Sequence, residues 1–374
     1  MKILFTGGGS GGHFYPIIAI AEELHAISRD ERLIPPTLFF MAPDPYDPGL
    51  LFENSITFIS LPTGKFRRYF SLKNITDIFR TAFATIKAAA LIFRLYPDVV
   101  VGKGGFGSFP ALFAARFWKI PIFIHESDAV PGRVNRWAGK FAARVAVSFE
   151  KALSAFPKGR VAHTGNPIRR DLLSAAASLR QELSLEEETQ VILVLGGSLG
   201  SAALNETVLQ ALPEFLLTFE VIHQTGEEHL ADMQARAEVI LQNHPFKRRY
   251  HSIGYLSTTQ MGRAGRIARL IISRAGSTIF EIAAWGKPSL LVPFPVSSGD
   301  HQRENAYAYA EHGAAVVLEE NNLTASILIH EARKILEDSG RHEEMSKRAS
   351  HFAKPDAASV IAREILNIAL RHEK

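Results

Sequence analysis

Residues 3–13 of the 374-residue chain, Ile-Leu-Phe-Thr-Gly-Gly-Gly-Ser-Gly-Gly-His, decide its fold. A continuous apolar run enters a glycine-rich turn, and we expect a helix to open after Pro16. A buried parallel strand followed by a crossover helix has this pattern, because such a strand is covered on both faces. Glycines bring backbone N–H groups close to a ligand and the helix N-terminus favours an anion, so the turn predicts phosphate binding.

The turn also contains the spacing G-x-G-x-x-G, which begins at Gly7. An NAD site needs an acidic residue about 20 positions further on, at the end of a second strand, and none stands there. The Lys-Ser/Thr ending of a nucleotide-triphosphate loop is missing as well. Neither kind of nucleotide site is therefore expected.

The same unit of strand, turn and helix recurs along the whole chain. It predicts an α/β protein of two Rossmann-like, doubly wound domains that face each other across a cleft. The predicted strands are 2–5, 37–41, 56–60, 99–101, 122–125 and 144–147 in the first half, then 191–195, 220–223, 270–273, 289–292 and 314–318. The turn-rich stretch 163–167 is predicted to link domains at 1–166 and 167–351, and a last helix at about 352–374 could pack on either.

Four more turns follow predicted strands. Two are glycine-rich, at 102–108 and 196–201, and resemble the first turn in their physical character. The third, 274–281, carries small residues and hydroxyls, and Glu281 would lie one turn into its helix, where a carboxylate can bind a ribose diol. The fourth, 293–306, places Gln302 three residues before Asn305, on one helix face. The alternatives are tight turns without a ligand and ordinary helix capping by Asp300.

The amino-acid composition excludes several kinds of catalytic and metal site. The chain has no cysteine, which excludes disulfides, thiolate metal sites and a cysteine nucleophile. No metal-binding motif occurs, so we expect no cofactor and no protein-held metal. No stretch approaches the roughly 18 apolar residues of a membrane span. The formal charge is +4, and the basic excess lies in the first 150 residues, which hold 17 basic and 12 acidic residues.

Much of that excess falls between residues 64 and 96, where seven basic residues and one acidic residue are interleaved with aromatic ones. Such a mixture suits an anionic membrane surface. Nucleic acid is not expected as a partner, and the alternative is a solvated basic helix whose apolar side belongs to the core. The membrane-docking candidates are Lys65, Phe66, Arg67, Arg68, Tyr69, Phe70 and Lys73.

Taken together, these motifs resemble the MurG family over nearly the whole chain. MurG enzymes are the peripheral membrane N-acetylglucosaminyltransferases that convert lipid I to lipid II. The resemblance rests on residues 8–13 with Pro16, 102–106, 125–128 with 131–132, 165–169, 196–200, 223–226, 274–281, and 301–302 with 305–306.

The resemblance implies the GT-B fold, with an acceptor- and membrane-binding N-terminal domain and a C-terminal domain that binds UDP-N-acetylglucosamine (UDP-GlcNAc). It also implies an inverting transfer to the 4-hydroxyl of lipid I on the inner, cytoplasmic face of the membrane, with His13 as catalytic base. The donor-binding residues it implies are Ser10, Gly11, Gly12, Asp128, Arg169, Ser198, Leu256, Ser277, Thr278, Ile279, Phe280, Glu281 and Gln302. Acceptor-side candidates are Gly104, Gly105, His125 and Glu126, although the last two could instead only fix their loop.

The sequence departs from the family pattern at four places. Asp128 stands where the family usually has Asn, the segment 274–281 is one residue shorter, 255–261 replaces a different motif, and Arg269 replaces an Asp. The first three departures fall on residues that the resemblance assigns to the donor, so we expect the donor contacts to be shared differently among these residues. The competing functions are another UDP-sugar enzyme of this fold, such as a lipid glycosyltransferase or an epimerase, and a non-catalytic nucleotide-sugar-binding module at the membrane.

Overall fold

A computed structural model describes residues 1–8, 10–64, 73–173, 179–197, 200–295 and 300–372, without the side chains of 73–75. The chain divides into two compact units, which are 1–169 with 354–374, and 170–353. Several sequence predictions concern residues outside this description, namely Ser198 and the docking candidates Lys65, Phe66, Arg67, Arg68, Tyr69, Phe70 and, for its side chain, Lys73.

The first unit is built on a parallel sheet whose described strands run in the order β3-β2-β1-β4-β5-β6-β7. Its strands are β1 (Lys2–Thr6), β2 (Thr37–Ala42), β3 (Ile56–Ser60), β4 (Val99–Gly102), β5 (Ile122–Glu126), β6 (Arg144–Val147) and β7 (Val161–His163). Its helices are α1 (Gly11–Asp30), α2 (Pro48–Glu53), α3 (Lys73–Leu95), α4 (Phe109–Phe117) and α5 (Arg133–Gly139), with 3-10 turns at Phe106–Ser108 and Glu150–Ala155.

The second unit repeats this plan, with strand order β10-β9-β8-β11-β12-β13 in its described residues. Its strands are β8 (Gln190–Leu195), β9 (Phe219–Gln224), β10 (Tyr250–Ile253), β11 (Ala268–Ser273), β12 (Ser289–Leu291) and β13 (Ala315–Val317). The helices from residue 170 onwards are α6 (Arg170–Leu173), α7 (Leu179–Glu182), α8 (Ala202–Phe215), α9 (Glu227–Ile240), α10 (Thr258–Ile267), α11 (Thr278–Ala284), α12 (His301–Ala310), α13 (Ala325–Leu336), α14 (Ser339–Phe352) and α15 (Ala357–His372), and 3-10 turns lie at Lys247–Arg249 and Glu320–Asn322.

Helix α15 belongs to the first unit, although it follows the whole second unit in sequence. Ile361 and Ile365 are buried in one core cluster with Ile17 and Leu24 of α1. An ion pair between Arg363 and Glu31 adds a contact at the surface. The first core is thus completed by the end of the chain.

The sheet order has one consequence for function. In the first unit β1 lies between β2 and β4, and in the second unit β8 lies between β9 and β11. The order of the strands in each sheet therefore reverses at β1 and at β8. Ligands of doubly wound folds bind at the carboxyl ends of strands beside this reversal. The glycine turns after β1, β4 and β8 all lie at such ends.

The structure differs from two of the sequence predictions. Helix α1 begins at Gly11, not after Pro16, so that His13 lies in its first turn. Glycine and proline are compatible with the start of a helix because the first N–H groups have no intrahelical acceptor. The stretch 163–167 was predicted as a turn, but His163 ends strand β7.

Candidate functional site

His13 and Ser10 lie together where β1 ends and α1 begins. Ser10 is the residue before the helix, and its hydroxyl lies 2.8 Å from His13 Nδ1 instead of capping a backbone N–H. When the imidazole proton is on Nδ1, it is donated to the Ser10 oxygen, and Nε2 then carries the lone pair that a general base needs. The predicted base therefore has a hydrogen-bond partner that holds its ring.

The glycine turns after β1 and β4 meet beside His13. A Cβ on Gly105 would lie only 2.7 Å from the Cα of Gly8 and 3.7 Å from His13 Cε1. Gly105 also has a φ of +77°, in the left-handed region. A Cβ on Gly104 would lie 2.7 Å from Asn135 Nδ2. These two candidates on the acceptor side thus form tight contacts that position the turn carrying the base.

Arg169 joins the same region through an aromatic side chain. Its guanidinium lies 4.2 Å from the ring centroid of Tyr15 on α1, and the residue is buried. A Cβ on Gly11 would meet the same tyrosine ring and the hydroxyl of Tyr46 at 2.8–2.9 Å. The structure therefore brings Ser10, Gly11 and Arg169, three predicted donor contacts, to one helix start, together with Gly12.

Glu126 and His125 at the end of β5 face the interior. The Glu126 carboxylate accepts hydrogen bonds from the backbone N–H groups of Asp128 (3.0 Å) and Gly132 (2.9 Å) and from Asn135 Nδ2 (3.0 Å). Burial and the charge of Asp128 raise its pKa, against these hydrogen bonds. The contacts of Glu126 fit the alternative in which this pair fixes its loop.

His125 is fully buried, and its Nε2 lies 3.2 Å from both the carbonyl oxygen of Gly165 and the hydroxyl of Ser148. Burial, reinforced by the charge of Lys103, holds the pKa of His125 well below its usual range. A neutral histidine that bridges three strand ends has a supporting role.

Sequence reasoning assigned no role to Lys103. It lies in the glycine turn after β4, and its N–H donates to the carbonyl of Thr6 at the end of β1. The side chain is 1% exposed, and burial lowers its pKa to about 8, against the charges of Glu126 and Asp128. The sequence signal was a cation within a glycine turn, but only the structure shows that it points inward.

In the second unit, two glycines of the turn after β8 differ in their surroundings. A Cβ on Gly200 would strike the carbonyl oxygen of Thr225, whereas among the described residues one on Gly197 would meet nothing within 4 Å. Gln224 donates from Nε2 to the Gly197 carbonyl (3.1 Å) and accepts from the Leu256 N–H (3.1 Å). Gln224 thus ties the glycine turn to the loop of Leu256, a predicted donor-binding residue, and occupies the N–H of Leu256.

Arg274 follows β11 and makes its contacts at the same edge of the sheet. Its guanidinium donates to the Val292 carbonyl (3.0 Å), to the Ser201 hydroxyl and to the Glu320 carboxylate. Ser201 in turn accepts from the Leu204 N–H and caps α8. This buried arginine therefore links the ends of β11 and β12 to the start of the helix that follows the glycine turn.

The segment 277–281 forms the start of α11, as predicted, but only part of it can offer side chains. Ile279 and Phe280 are buried, and the Phe280 ring stacks on Phe352. Their N–H groups already donate to Gly276 and Ser277. Ser277, Thr278 and Glu281 are half-buried. Gln302, on α12, accepts the N–H of Phe294 at 3.0 Å and so fixes the loop after β12.

Helix α3 has two different apolar faces. Ala84, Ala88 and Ile92 are buried against the first unit. On another face, at 100° per residue, exposed apolar side chains are flanked by basic ones. These exposed residues are Ile78, Phe79, Phe83, Ile86 and Phe93, with Arg80, Lys87 and Arg94 beside them. We call this set the α3 surface.

No helix in the described ranges has the length and hydropathy needed to cross a membrane. Among the same residues, no group of three or more His, Asp and Glu side chains is placed to hold a metal ion.

Comparisons with known proteins agree with this architecture. Residues 3–147 match the glycosyltransferase family 28 N-terminal domain, and residues 191–361 match the corresponding C-terminal domain. A relative from Treponema denticola is 34% identical, over 95% of this chain and 93% of its own. It is named UDP-N-acetylglucosamine–N-acetylmuramyl-(pentapeptide) pyrophosphoryl-undecaprenol N-acetylglucosamine transferase.

Solved structures share the fold. The crystal structure of Acinetobacter baumannii MurG has a TM-score of 0.74 and 26% identity, with 98% of this chain and 99% of that chain covered. UDP-GlcNAc 2-epimerase from Neisseria meningitidis has a TM-score of 0.68 with 16% identity, covering 98% and 100%. At that identity the likeness concerns the fold alone.

Two doubly wound units with glycine turns at their strand ends, matched by both domains of family 28, define a glycosyltransferase of GT-B fold. Within that class, the full-length likeness to named relatives shows that the chain belongs to the MurG family of N-acetylglucosaminyltransferases.

Proposed function

We propose that the protein transfers N-acetylglucosamine from UDP-GlcNAc to the 4-hydroxyl of the N-acetylmuramyl sugar of lipid I, producing lipid II for peptidoglycan synthesis. The observation that carries this proposal is His13, held by Ser10 in the first turn of α1, within a chain of the MurG family. In a single inverting displacement the hydroxyl attacks the anomeric carbon and UDP leaves.

The residues divide this work by their chemistry. His13 Nε2 takes the proton of the attacking hydroxyl, since a sugar hydroxyl is a poor nucleophile without a base. The growing charge on the diphosphate is met by helix N-termini at the glycine turns and by Arg169, and no protein-held metal is invoked. Glu281, at the fourth position of α11, accepts the ribose hydroxyls.

The test is to incubate the protein with labelled UDP-GlcNAc and a lipid I analogue. The expected product is the labelled disaccharide lipid, and His13→Ala should bind donor normally but lose most turnover. His25→Ala is the matched control, because His25 lies on the same helix but contacts the Asn54 carbonyl. A UDP-GlcNAc epimerase would convert the sugar without acceptor, and a binding module would tolerate the loss of His13.

We further propose that the α3 surface docks the protein on an anionic membrane, on the cytoplasmic face where its substrates would meet. The apolar side chains enter the interface, and each flanking basic residue contributes roughly 1 kcal/mol near anionic lipid. The alternative is a helix whose apolar side chains all belong to the core. It does not account for the second apolar face of α3, which includes Phe79 and Phe83, 71% and 70% exposed.

Vesicle flotation tests this docking. Wild-type protein should float with anionic vesicles and much less with zwitterionic ones, and the double substitution Phe79→Ser/Phe83→Ser should reduce recovery. Phe52→Ser is the matched control, since Phe52 is 87% exposed but lies on α2. Equal recovery with both kinds of vesicle would discard the electrostatic part of the proposal.

A further inference from the structure

Lys103 is a buried cation whose contacts are incomplete. It is 1% exposed, and in the described part of the chain its Nζ has no hydrogen-bond partner. An ammonium group without hydrogen bonds is costly inside a protein unless nearby charges compensate for the lost water. Its backbone is fixed, because its N–H donates to Thr6 and its Cβ lies 3.5 Å from the position that a Cβ on Gly7 would take.

Two carboxylates come from the neighbouring strand. Strand β5 pairs with β4, with Gly102 opposite Ile124, so the residues that follow each strand lie at one edge. Glu126 is 3% exposed, and its carboxylate binds the N–H of Asp128, whose own side chain is half-buried. With both carboxylates ionised and one ammonium, this group carries a net charge of −1.

We propose that Lys103 is a positioning residue that balances the charge of Glu126 and Asp128, so that this edge of the first unit accepts a diphosphate. The inference rests on the proposed function, because a diphosphate belongs to both UDP-GlcNAc and the lipid acceptor. Without Lys103, two carboxylates would confront an incoming anion at short range, where Coulomb energies are weakly screened. Lys103 itself does not touch the ligand in this arrangement.

The proposal includes a pH dependence. Burial lowers the pKa of Lys103 to about 8, while Glu126 and then Asp128 raise it. Among the described residues, His125 at the end of β5 also feels the charge of Lys103, and His13 on α1 in turn acts on His125. Lys103 loses its positive charge as the pH rises through about 8. The charge balance with Glu126 and Asp128 should therefore fail on the alkaline side, where histidines are already neutral.

The experiment compares Lys103→Met, Asp128→Asn and the double variant in the full-length protein. Michaelis constants are measured separately for UDP-GlcNAc and for the lipid I analogue, which identifies whose diphosphate is affected. Lys287→Met is the matched control, because Lys287 is another partly buried lysine with a lowered pKa, and its Nζ donates to the Arg266 carbonyl in the second unit.

In Lys103→Met we expect one of the two Michaelis constants to rise at least tenfold with little change in kcat. Adding Asp128→Asn should bring it back to within threefold of the Asp128→Asn value, a coupling that a purely structural role would not give. Unchanged Michaelis constants, or single effects that simply multiply in the double variant, would overturn the proposal. If the wild type gives no product, the proposed function fails instead.

A second readout does not depend on the folding of Lys103→Met. In the wild type the affected Michaelis constant should rise between pH 8 and 9.5, and the rise should be smaller in Asp128→Asn. Identical alkaline profiles for the two proteins would also overturn the proposal.

Discussion

Gly105→Ala tests how the base-bearing turn is held in place. The added Cβ would lie 2.7 Å from the Cα of Gly8, whereas ordinary contacts begin at 3.4–4 Å. The atom it meets is backbone, which cannot rotate away, so the two turns must separate by about 1 Å. The Gly8 turn leads directly into Ser10 and His13, and a misplacement of about 1 Å costs roughly 100-fold in rate.

The substitution also has a conformational cost that must be separated from this displacement. Gly105 has a φ of +77° and a ψ of 159°, a conformation that is essentially restricted to glycine and costs another residue about 1–3 kcal/mol. Gly159→Ala is the matched control, because Gly159 has a φ of +82° in the same unit, but a Cβ there meets nothing within 4 Å in the described part of the chain. Both variants should therefore melt a few degrees below the wild type.

Steady-state turnover with UDP-GlcNAc and a lipid I analogue distinguishes them. We expect kcat to fall about 100-fold in Gly105→Ala and by less than threefold in Gly159→Ala, at similar melting temperatures. The reasoning is refuted if Gly105→Ala keeps kcat within threefold of the wild type. It is also refuted if the control loses as much activity, because backbone strain alone would then account for the effect.

Three further outcomes are expected. Ser10→Ala should lower kcat about tenfold, because the His13 ring loses the partner at Nδ1, and a kcat equal to the wild type would contradict it. Glu281→Ala should raise the Michaelis constant for UDP-GlcNAc far more than that for the acceptor, as steady-state kinetics would show. Burial lowers the pKa of His223 to about 3 and that of His125 well below 6.5, so these histidines bind protons in the unfolded chain before they do in the folded one. Each unit should therefore lose up to about 1.4 kcal/mol of unfolding free energy per pH unit below about pH 6. Urea unfolding midpoints that stay unchanged from pH 7 to 5 would oppose this.

The fold was largely predictable because most strands are covered on both faces. Continuous apolar runs gave β1 to β6 and most of the second sheet within one or two residues at each end. The two missed strands, β7 (Val161–His163) and β10 (Tyr250–Ile253), are the edges of their sheets. Their residues are half-buried or exposed, so they lack the apolar run on which the prediction relies.

The site was predictable as a set of strand ends, but not in its internal contacts. The pattern placed Glu126 and Lys103 after neighbouring strands, while their direction depends on the register of β4 against β5. Gln224 and Arg274 were visible in recognised motifs, but their partners, Leu256 and Ser201, are distant in sequence. Hydrogen bonds between separate loops leave no periodic signal in a single sequence.

The glycine turns show the same limit most clearly. In sequence the turns after β1, β4 and β8 are equivalent, and each suggests a phosphate. In the structure Gly8 and Gly105 lack side chains because their backbones touch, and Gly200 because it abuts Thr225. Gly197 has a φ of +90°, but among the described residues nothing lies within 4 Å of the position that its Cβ would occupy. At these strand ends, a glycine required by a neighbouring backbone supports the site, and we expect the open space beside Gly197 to leave room for a ligand. Substitution to alanine should therefore impair catalysis at Gly105 by displacing the base, and donor binding at Gly197 by straining its backbone and filling the space.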